Sequence, residues 1–193
     1  METELRNGTA AAFAAEDWTG ATCDAVFHRT VVNLGARGVA MATHFHEESA
    51  LMLSLAQRWI WDIPVIYLVE SERPLHMNTL IRAFAPKLKR VSLLPGETKR
   101  DAMGRTAREL KLHGIFYGLH RYQNPERAGF PMVELQRYRE WEYVDIHPVI
   151  DWTPEMVAAY FEQQKLPRPK NHKPGTRIQP ENCSLHKRRV QTA

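Results

Sequence analysis

The residue whose surroundings best suit covalent chemistry is Cys183, ten residues from the C-terminus in the segment Glu181-Asn182-Cys183-Ser184-Leu185-His186-Lys187-Arg188-Arg189. Lysine, arginine and protonated histidine lower the pKa of a nearby thiol because they stabilise the thiolate. A thiolate is a nucleophile, so this segment predicts a reactive cysteine. The alternative is that Cys183 is an incidental residue of a basic segment.

Charge is distributed unevenly along the chain. Residues 165–193 contain eight lysines and arginines and one acid, a local charge of +7, whereas the whole chain carries only +4. We call residues 165–193 the basic tail. Such tails bind phosphate-rich partners, which leaves open a nucleotide, nucleic acid or an acidic protein surface.

Composition limits the class of protein. The chain has 193 residues, of which 44% are hydrophobic and 25% charged, typical of one globular domain. No run is apolar and long enough for a membrane span or a secretory signal, so we expect a cytoplasmic protein without membrane contact. The two cysteines, Cys23 and Cys183, argue against a disulfide framework and against an iron-sulfur cluster held by one chain.

Hydrophobic periodicity predicts alternating helices and strands. Helices are predicted at Cys23–Leu34, from about Ser49, at 75–85, at 98–112 and from Thr153 to about Gln164, and strands at 39–42, 64–69, 89–93 and 114–118. This order predicts an α/β fold, a twisted parallel sheet with helices on both faces. We therefore expect one domain over residues 1–164, with N-terminal helices at 1–34 and the sheet core at 35–164. The proline-containing basic tail that follows is expected to be extended and flexible.

Ligands of such sheets bind beyond the carboxyl ends of the strands. The loops 43–48, 70–74 and 119–127 are therefore expected to converge on one crevice. Arg121 and Arg127 in the last loop could hold phosphate or sulfonate oxygens through paired N–H groups, although solvated loop arginines are the alternative.

Other chemistry-bearing residues have ordinary interpretations. The run His44-Phe45-His46-Glu47-Glu48 could hold a metal, but its spacing matches no established site, and both carboxylates could instead stabilise the start of the next helix. We predict no metal. Cys23 is expected to be structural, and the indoles of Trp59, Trp61 and Trp152 are expected to pack.

Several segments resemble, in order, those of the 3′-phosphoadenylyl sulfate (PAPS) reductases. Gly118-Leu119-His120-Arg121-Tyr122-Gln123-Asn124-Pro125-Glu126-Arg127 is similar to the family's Gly-Leu-Arg-Arg-x-Gln-Ser-x-x-Arg stretch. Pro148-Val149-Ile150-Asp151-Trp152 resembles its Pro-Leu-x-Asp-Trp turn. Glu181-Asn182-Cys183-Ser184-Leu185-His186 is similar to its C-terminal Glu-Cys-Gly-Leu-His, with one residue inserted.

The resemblance implies the adenine nucleotide alpha hydrolase-like fold and a thiol-based reduction. A cysteine thiolate attacks the sulfonate sulfur of PAPS, and thioredoxin or glutaredoxin then reduces the cysteine S-sulfonate to release sulfite. It implies no bound cofactor or iron-sulfur cluster, and a homodimer. By position it implies Cys183 and His186 as catalytic residues, and as substrate-binding residues Thr43, Phe45, Ser49, Arg121, Gln123, Arg127 and Lys187.

Two loops depart from the family's pattern. Thr43-His44-Phe45-His46-Glu47-Glu48-Ser49 stands where the family has approximately Ser-x-Ser-Phe-Gly-x-Gln-Ser, and Val69-Glu70-Ser71 where it has Asp-Thr-Gly. A second hypothesis is therefore a catalytically degenerate protein on the same scaffold that binds a nucleotide or nucleic acid.

Overall fold

The computed structural model describes residues 10–43, 47–69 and 88–166, with the side chains of residues 47, 48 and 69 left aside. Within these ranges residues 10–14 are helical, and four longer helices follow: α1 Cys23–Leu34, α2 Glu47–Gln57, α3 Lys99–Glu109 and α4 Pro154–Gln164. The strands described are β1 Val39–Thr43, β2 Val65–Val69, β3 Leu88–Ser92, β4 Gly114–Phe116, β5 Val133–Tyr138 and β6 Trp141–Ile146. The 3₁₀ turns described are Ala36–Gly38, Arg121–Gln123 and Pro125–Arg127.

The strands form one sheet in the order β3-β2-β1-β4-β6-β5. All neighbouring pairs are parallel except β5 and β6, which form an antiparallel hairpin at one edge. The predicted α/β class is confirmed, with a sheet that is mostly rather than wholly parallel. The hairpin was not predicted.

Two hydrophobic cores cover the two faces of the sheet. In β1, Val39 and Met41 point into the core that contains α1, α2 and α4, whereas Ala40 points into the core beneath α3. This alternation is the ordinary consequence of strand geometry. Helices on both faces are therefore confirmed.

Local capping signals account for the helix boundaries. The hydroxyl of Thr22 accepts a hydrogen bond from Ala25 N at the start of α1, and Gly35, with φ of 76°, ends that helix. Thr153 caps α4 with Pro154 at its first position, as predicted. No helix in the described ranges is long and apolar enough to cross a membrane.

Two details of the sequence interpretation are corrected, and one predicted helix cannot be compared. Trp61 does not pack, because its side chain is 79% exposed in the loop after α2. Met156 fits the apolar spacing of α4 in the sequence, but it is 47% exposed while Val157, Tyr160 and Phe161 face the core. The helix predicted at 75–85 lies outside the described residues.

Candidate active site at the carboxyl edge of the sheet

The crossovers place a topological switch point between β1 and β4. The chain leaves β1 through α2 towards β2 on one side, and returns from β3 through α3 to β4 on the other side. The register pairs Met41 with Phe116, so Thr43, the last residue of β1, lies level with Gly118, two residues after the end of β4. Ligands of open α/β sheets bind at this position.

The loop after β4 carries the arginine motif, and we call residues His120–Arg127 the arginine loop. It folds as two successive 3₁₀ turns, the second capped by the side chain of Asn124. The amide oxygen of Gln123 accepts hydrogen bonds from His120 N, at 3.3 Å, and from Nη1 of Arg127. Arg127 is only 8% exposed. Gln123 therefore orients this guanidinium. Because the Arg127 side chain is already ordered, it would lose little conformational entropy on binding an anion.

The arginine loop is docked on the segment after β6, Pro148–Trp152, which we call the entry segment because it leads into α4. Arg121 N donates to the carbonyl of Ile150 at 2.9 Å, and Nδ1 of His120 donates to the carbonyl of Val149 at 2.8 Å. The buried His120 ring also stacks on Tyr122, with centroids 5.1 Å apart. Two of the three segments that carry the family resemblance are thus in direct contact.

The side chain of Arg121 completes this contact. Its Nε donates to Oδ1 of Asp151 at 2.6 Å, and its Nη1 donates to the carbonyls of Ala128, at 3.0 Å, and Phe130. Beside it lies a cleft of about 450 Å³, bounded on the other side by Trp18 and its neighbours. The Nε and Nη1 groups of Arg121 are therefore engaged within the protein, and among the described residues none accepts a hydrogen bond from Nη2.

The first loop is described in part. Thr43 is buried at the end of β1, and Ser49 is half-buried one turn inside α2. Glu47 and Glu48 are the first residues of α2, a position where carboxylates stabilise the helix dipole. Their placement agrees with the dipole interpretation of these acids. In the described part of the chain, no three histidine, cysteine or acidic residues are placed to hold a metal ion.

The remaining predicted site residues lie outside the described residues. They are Phe45 of the first loop and the tail residues Cys183, His186 and Lys187. His44, His46, Glu70 and Ser71 of the two divergent loops lie outside the described residues as well. The structure therefore brings together Arg121, Gln123 and Arg127, and places Thr43 and Ser49 on the neighbouring strand and helix.

A buried polar group beneath α3 was not predicted. The Tyr117 hydroxyl donates a hydrogen bond to the buried Asp145, and burial together with this carboxylate raises the pKa of Tyr117 well above its usual value. Burial and Asp145 likewise raise the pKa of Tyr143. Both phenols therefore stay protonated at neutral pH. The sequence signal was the alternation of Trp141, Tyr143 and Asp145 along one face of β6. It could not be interpreted without the structure, because only the pairing of β6 with β4 brings Asp145 next to Tyr117.

Cys23 has the opposite environment to that expected of a nucleophile. Burial, reinforced by the negative charge of Asp24, raises the pKa of the Cys23 thiol to about 12. A thiol with such a pKa is almost entirely protonated at neutral pH. The structural role predicted for Cys23 agrees with this result.

Comparison with solved structures defines the class of fold. FMN adenylyltransferase of Candida glabrata, in complex with FMN and an ATP analogue, matches with a TM-score of 0.54 at 10% identity over 82% of this chain and 63% of that chain. Yeast FAD synthetase in complex with FAD matches with a TM-score of 0.56 at 8% identity, over 82% and 66%. At this identity the likeness concerns the fold alone. It is the adenine nucleotide alpha hydrolase-like fold expected from the sequence.

Sequence comparison finds similarity to one family of reductases. Residues 94–177 match the phosphoadenosine phosphosulfate reductase domain, a range that contains both the arginine loop and the entry segment. The phosphoadenosine 5′-phosphosulfate reductase of Thiocapsa roseopersicina is 30% identical over 156 residues, covering 66% of this chain and 63% of that protein. The reductase of the same name from Vibrio parahaemolyticus serotype O3:K6 is 38% identical over 68 residues, covering 35% and 25%.

This chain therefore spans less than two thirds of the length of either relative. The resemblance inferred from the sequence is confirmed: the chain is similar to the PAPS reductases, at low identity and over part of their length.

Proposed function

We propose that the chain is a sulfonucleotide reductase that uses Cys183 as its nucleophile. The Cys183 thiolate attacks the sulfonate sulfur of PAPS, a sulfur–sulfur bond forms, and the bond from sulfur to the phosphate oxygen breaks. Adenosine 3′,5′-bisphosphate leaves with the bonding electrons. A dithiol protein of the thioredoxin or glutaredoxin class then attacks Sγ of Cys183, sulfite departs, and the second thiol of the donor resolves the mixed disulfide.

The observation that carries the proposal is the contact between the arginine loop and the entry segment at the carboxyl edge. Both lie within the range matched by the reductase domain, and Arg127 is held by Gln123 beside the switch point. A buried, oriented guanidinium is a strong partner for phosphate or sulfonate oxygens because its N–H groups match their geometry. This supports sulfonucleotide binding at the switch point.

Chain length permits Cys183 to reach this edge. α4 begins at the carboxyl edge, and its 11 residues carry the chain about 16 Å before the described part ends at Leu166. Seventeen positions separate Leu166 from Cys183. An extended chain of that length spans up to about 56 Å, so the tether exceeds the return distance severalfold.

The two cysteines are matched to different roles in this proposal. Cys23 is held protonated by burial, whereas Cys183 stands among cationic residues that favour a thiolate. His186 and Lys187 would stabilise the thiolate and the sulfonate oxygens. The expected partners are PAPS, a thioredoxin-like donor and a second copy of the chain.

The direct test is an intact-mass measurement after incubation of the pure chain with PAPS and no reductant. We expect one sulfonate adduct on the wild type and on Cys23→Ser, and none on Cys183→Ser. Addition of reduced thioredoxin should remove the adduct and release sulfite. Absence of an adduct on the wild type, or an equal adduct on Cys183→Ser, would contradict the mechanism.

A degenerate binding protein is the second candidate, favoured by the two acids that open α2 and by the basic tail. Carboxylates at a helix start occupy the place where a nucleotide phosphate would gain from the dipole. This candidate predicts affinity for a polyanion such as single-stranded RNA that falls steeply with salt and needs no thiol. Truncation after Leu166 should abolish that affinity, and unchanged binding would eliminate this candidate.

A further inference from the structure

A second cleft, of about 420 Å³, lies at the amino edge of the sheet, at the opposite ends of β1 and β4 from the arginine loop. Its walls are the segment between α1 and β1 and the segment between α3 and β4. We call it the amino-edge cleft. We propose that it binds a small oxyanion of the sulfate or phosphate type, at a site separate from the proposed reaction.

The floor of the cleft is rigidly built. His113 N donates to the carbonyl of Gly38 at 2.7 Å, which continues the pairing of β1 with β4. The His113 ring lies so close to Gly38 that a Cβ there would be 3.3 Å from it, and the same ring stacks on Trp141 with centroids 5.4 Å apart. A ligand would therefore meet a preformed surface, and little conformational entropy would be lost on binding.

Two cations face this cleft, and none of the described residues that line it carries a negative charge. The cations are Arg37 and Lys111, and both are exposed. Within the described ranges neither side chain forms an ion pair, whereas Arg105 and Arg108 on the adjoining helix pair with Glu97 and Glu140. The pair at the cleft is thus available to an external anion.

The helix ends near the cleft oppose an anion but do not cancel these cations. α1 and α3 both end there, and a helix C-terminus contributes about half a negative charge. Two such ends bring about −1, against +2 from Arg37 and Lys111. A net charge of about +1 remains, which favours an anion and predicts binding of modest affinity.

The backbone at Lys111 points to a use for its side chain. Lys111 has φ of 55°, in the left-handed region that glycine adopts most easily. On the facing wall the residue with positive φ is a glycine, Gly35, with φ of 76°. The backbone at Lys111 has a conformational cost that a glycine would not have. The lysine side chain places an ammonium group at the cleft.

The test is a titration of the full chain with sodium sulfate, and separately with sodium phosphate, at constant ionic strength set with sodium chloride. Two-dimensional ¹H–¹⁵N NMR would follow the amides of Gly35, Gly38 and Lys111. We expect saturable shifts at these amides with either oxyanion. Shifts that rise linearly, or that follow chloride equally, would overturn the proposal.

Charge variants make the result specific. Lys111→Gly removes the cation and adopts the local backbone without strain, so the fold should persist. We expect it and Arg37→Gln each to weaken oxyanion affinity about fivefold, the effect of losing one unit charge at about 4 Å in water. Lys89→Gln, at an exposed lysine of β3, should leave the affinity unchanged. Equal affinity for the wild type and Lys111→Gly would also overturn the proposal.

Discussion

Arg121 and Asp151 are 30 positions apart in sequence, yet Nε of the arginine donates to Oδ1 of the aspartate over 2.6 Å. This ion pair joins the loop after β4 to the loop after β6, next to the switch point. Arg121 also donates to the carbonyls of Ala128 and Phe130, so this one side chain ties the start of the arginine loop to the residues that follow it. The loop that would meet the substrate is therefore positioned by the segment that starts α4.

Replacement of Arg121 should destabilise the fold. Arg121→Gln removes the ion pair and the two carbonyl contacts, so we expect the free energy of unfolding to fall by about 1–3 kcal/mol. Urea denaturation followed by circular dichroism would measure it. The control is Arg137→Gln, since Arg137 is 70% exposed in its pair with Glu142 and should change stability by less than about 0.5 kcal/mol. Equal effects of the two substitutions would show that Arg121 is an ordinary surface arginine.

Glu97 should matter more than Glu109, although both pair with Arg105. Glu97 lies 2.8 Å from Nε of Arg105 and its side chain is 8% exposed, whereas Glu109 lies at 3.5 Å and is 50% exposed. The Arg105 hydrogen bond also holds the pKa of Glu97 below its usual value. We expect Glu97→Gln to cost about 1 kcal/mol and Glu109→Gln to have almost no effect.

The acid limb of the unfolding curve provides an independent readout of Glu97. A carboxylate with a lowered folded-state pKa stabilises the protein above its unfolded-state pKa, and this contribution is lost as pH falls through the folded-state value. The difference between wild type and Glu97→Gln should therefore shrink below about pH 4.5, the usual pKa of a glutamate. A constant difference down to pH 2 would contradict the assignment.

Gly104 permits the close approach of α3 to the β5–β6 hairpin. A Cβ at this position would lie 2.5 Å from Cβ of Tyr138, an atom too near the backbone to move aside. We expect Gly104→Ala to cost about 1–3 kcal/mol despite the better helix propensity of alanine. Gly129→Ala is the matched control, because nothing lies within 4 Å of its Cβ position. Thermal unfolding would compare the two, and a neutral Gly104→Ala would show that the helix can shift.

Cys23 should make stability fall at alkaline pH. The folded-state pKa of its thiol is about 12 and the ordinary value is 9.0, so the unfolded chain loses this proton first as pH rises. The contribution of this thiol to the free energy of unfolding is fully present below pH 9. It is lost as pH rises towards 12, by up to about 1.4 kcal/mol per pH unit. Cys23→Ala lacks this term. Unfolding curves from pH 8 to 11 should therefore diverge, and parallel curves would refute the raised pKa.

Elements with local signals could be predicted from the sequence. The hydroxyl of Thr153 and the ring of Pro154 start α4, and Gly35 ends α1 because it adopts positive φ without strain. Such signals depend on a few neighbouring atoms. The order of strands and helices then follows from hydrophobic period, which is why the α/β class was predicted correctly.

Features that depend on distant partners could not be predicted. The β5–β6 hairpin turns through Arg139 with φ of 53°, without the glycine or asparagine that would mark it. Arg121 was a candidate from its motif, but its tie to Asp151 exists only once two loops meet in the fold. Trp61 and Met156 match the apolar pattern, yet the rotation of their segments in the fold turns them to solvent.

The burial of Cys23 also has a practical consequence for spectroscopy. Since one of the two thiols is protonated and half-shielded in the folded state, a thiol-reactive dye at neutral pH should modify position 183 selectively without any cysteine being removed. The native chain is in effect a single-site reporter. Fluorescence anisotropy or energy transfer from that dye would follow the end of the basic tail as nucleotide, oxyanion or a donor protein is added.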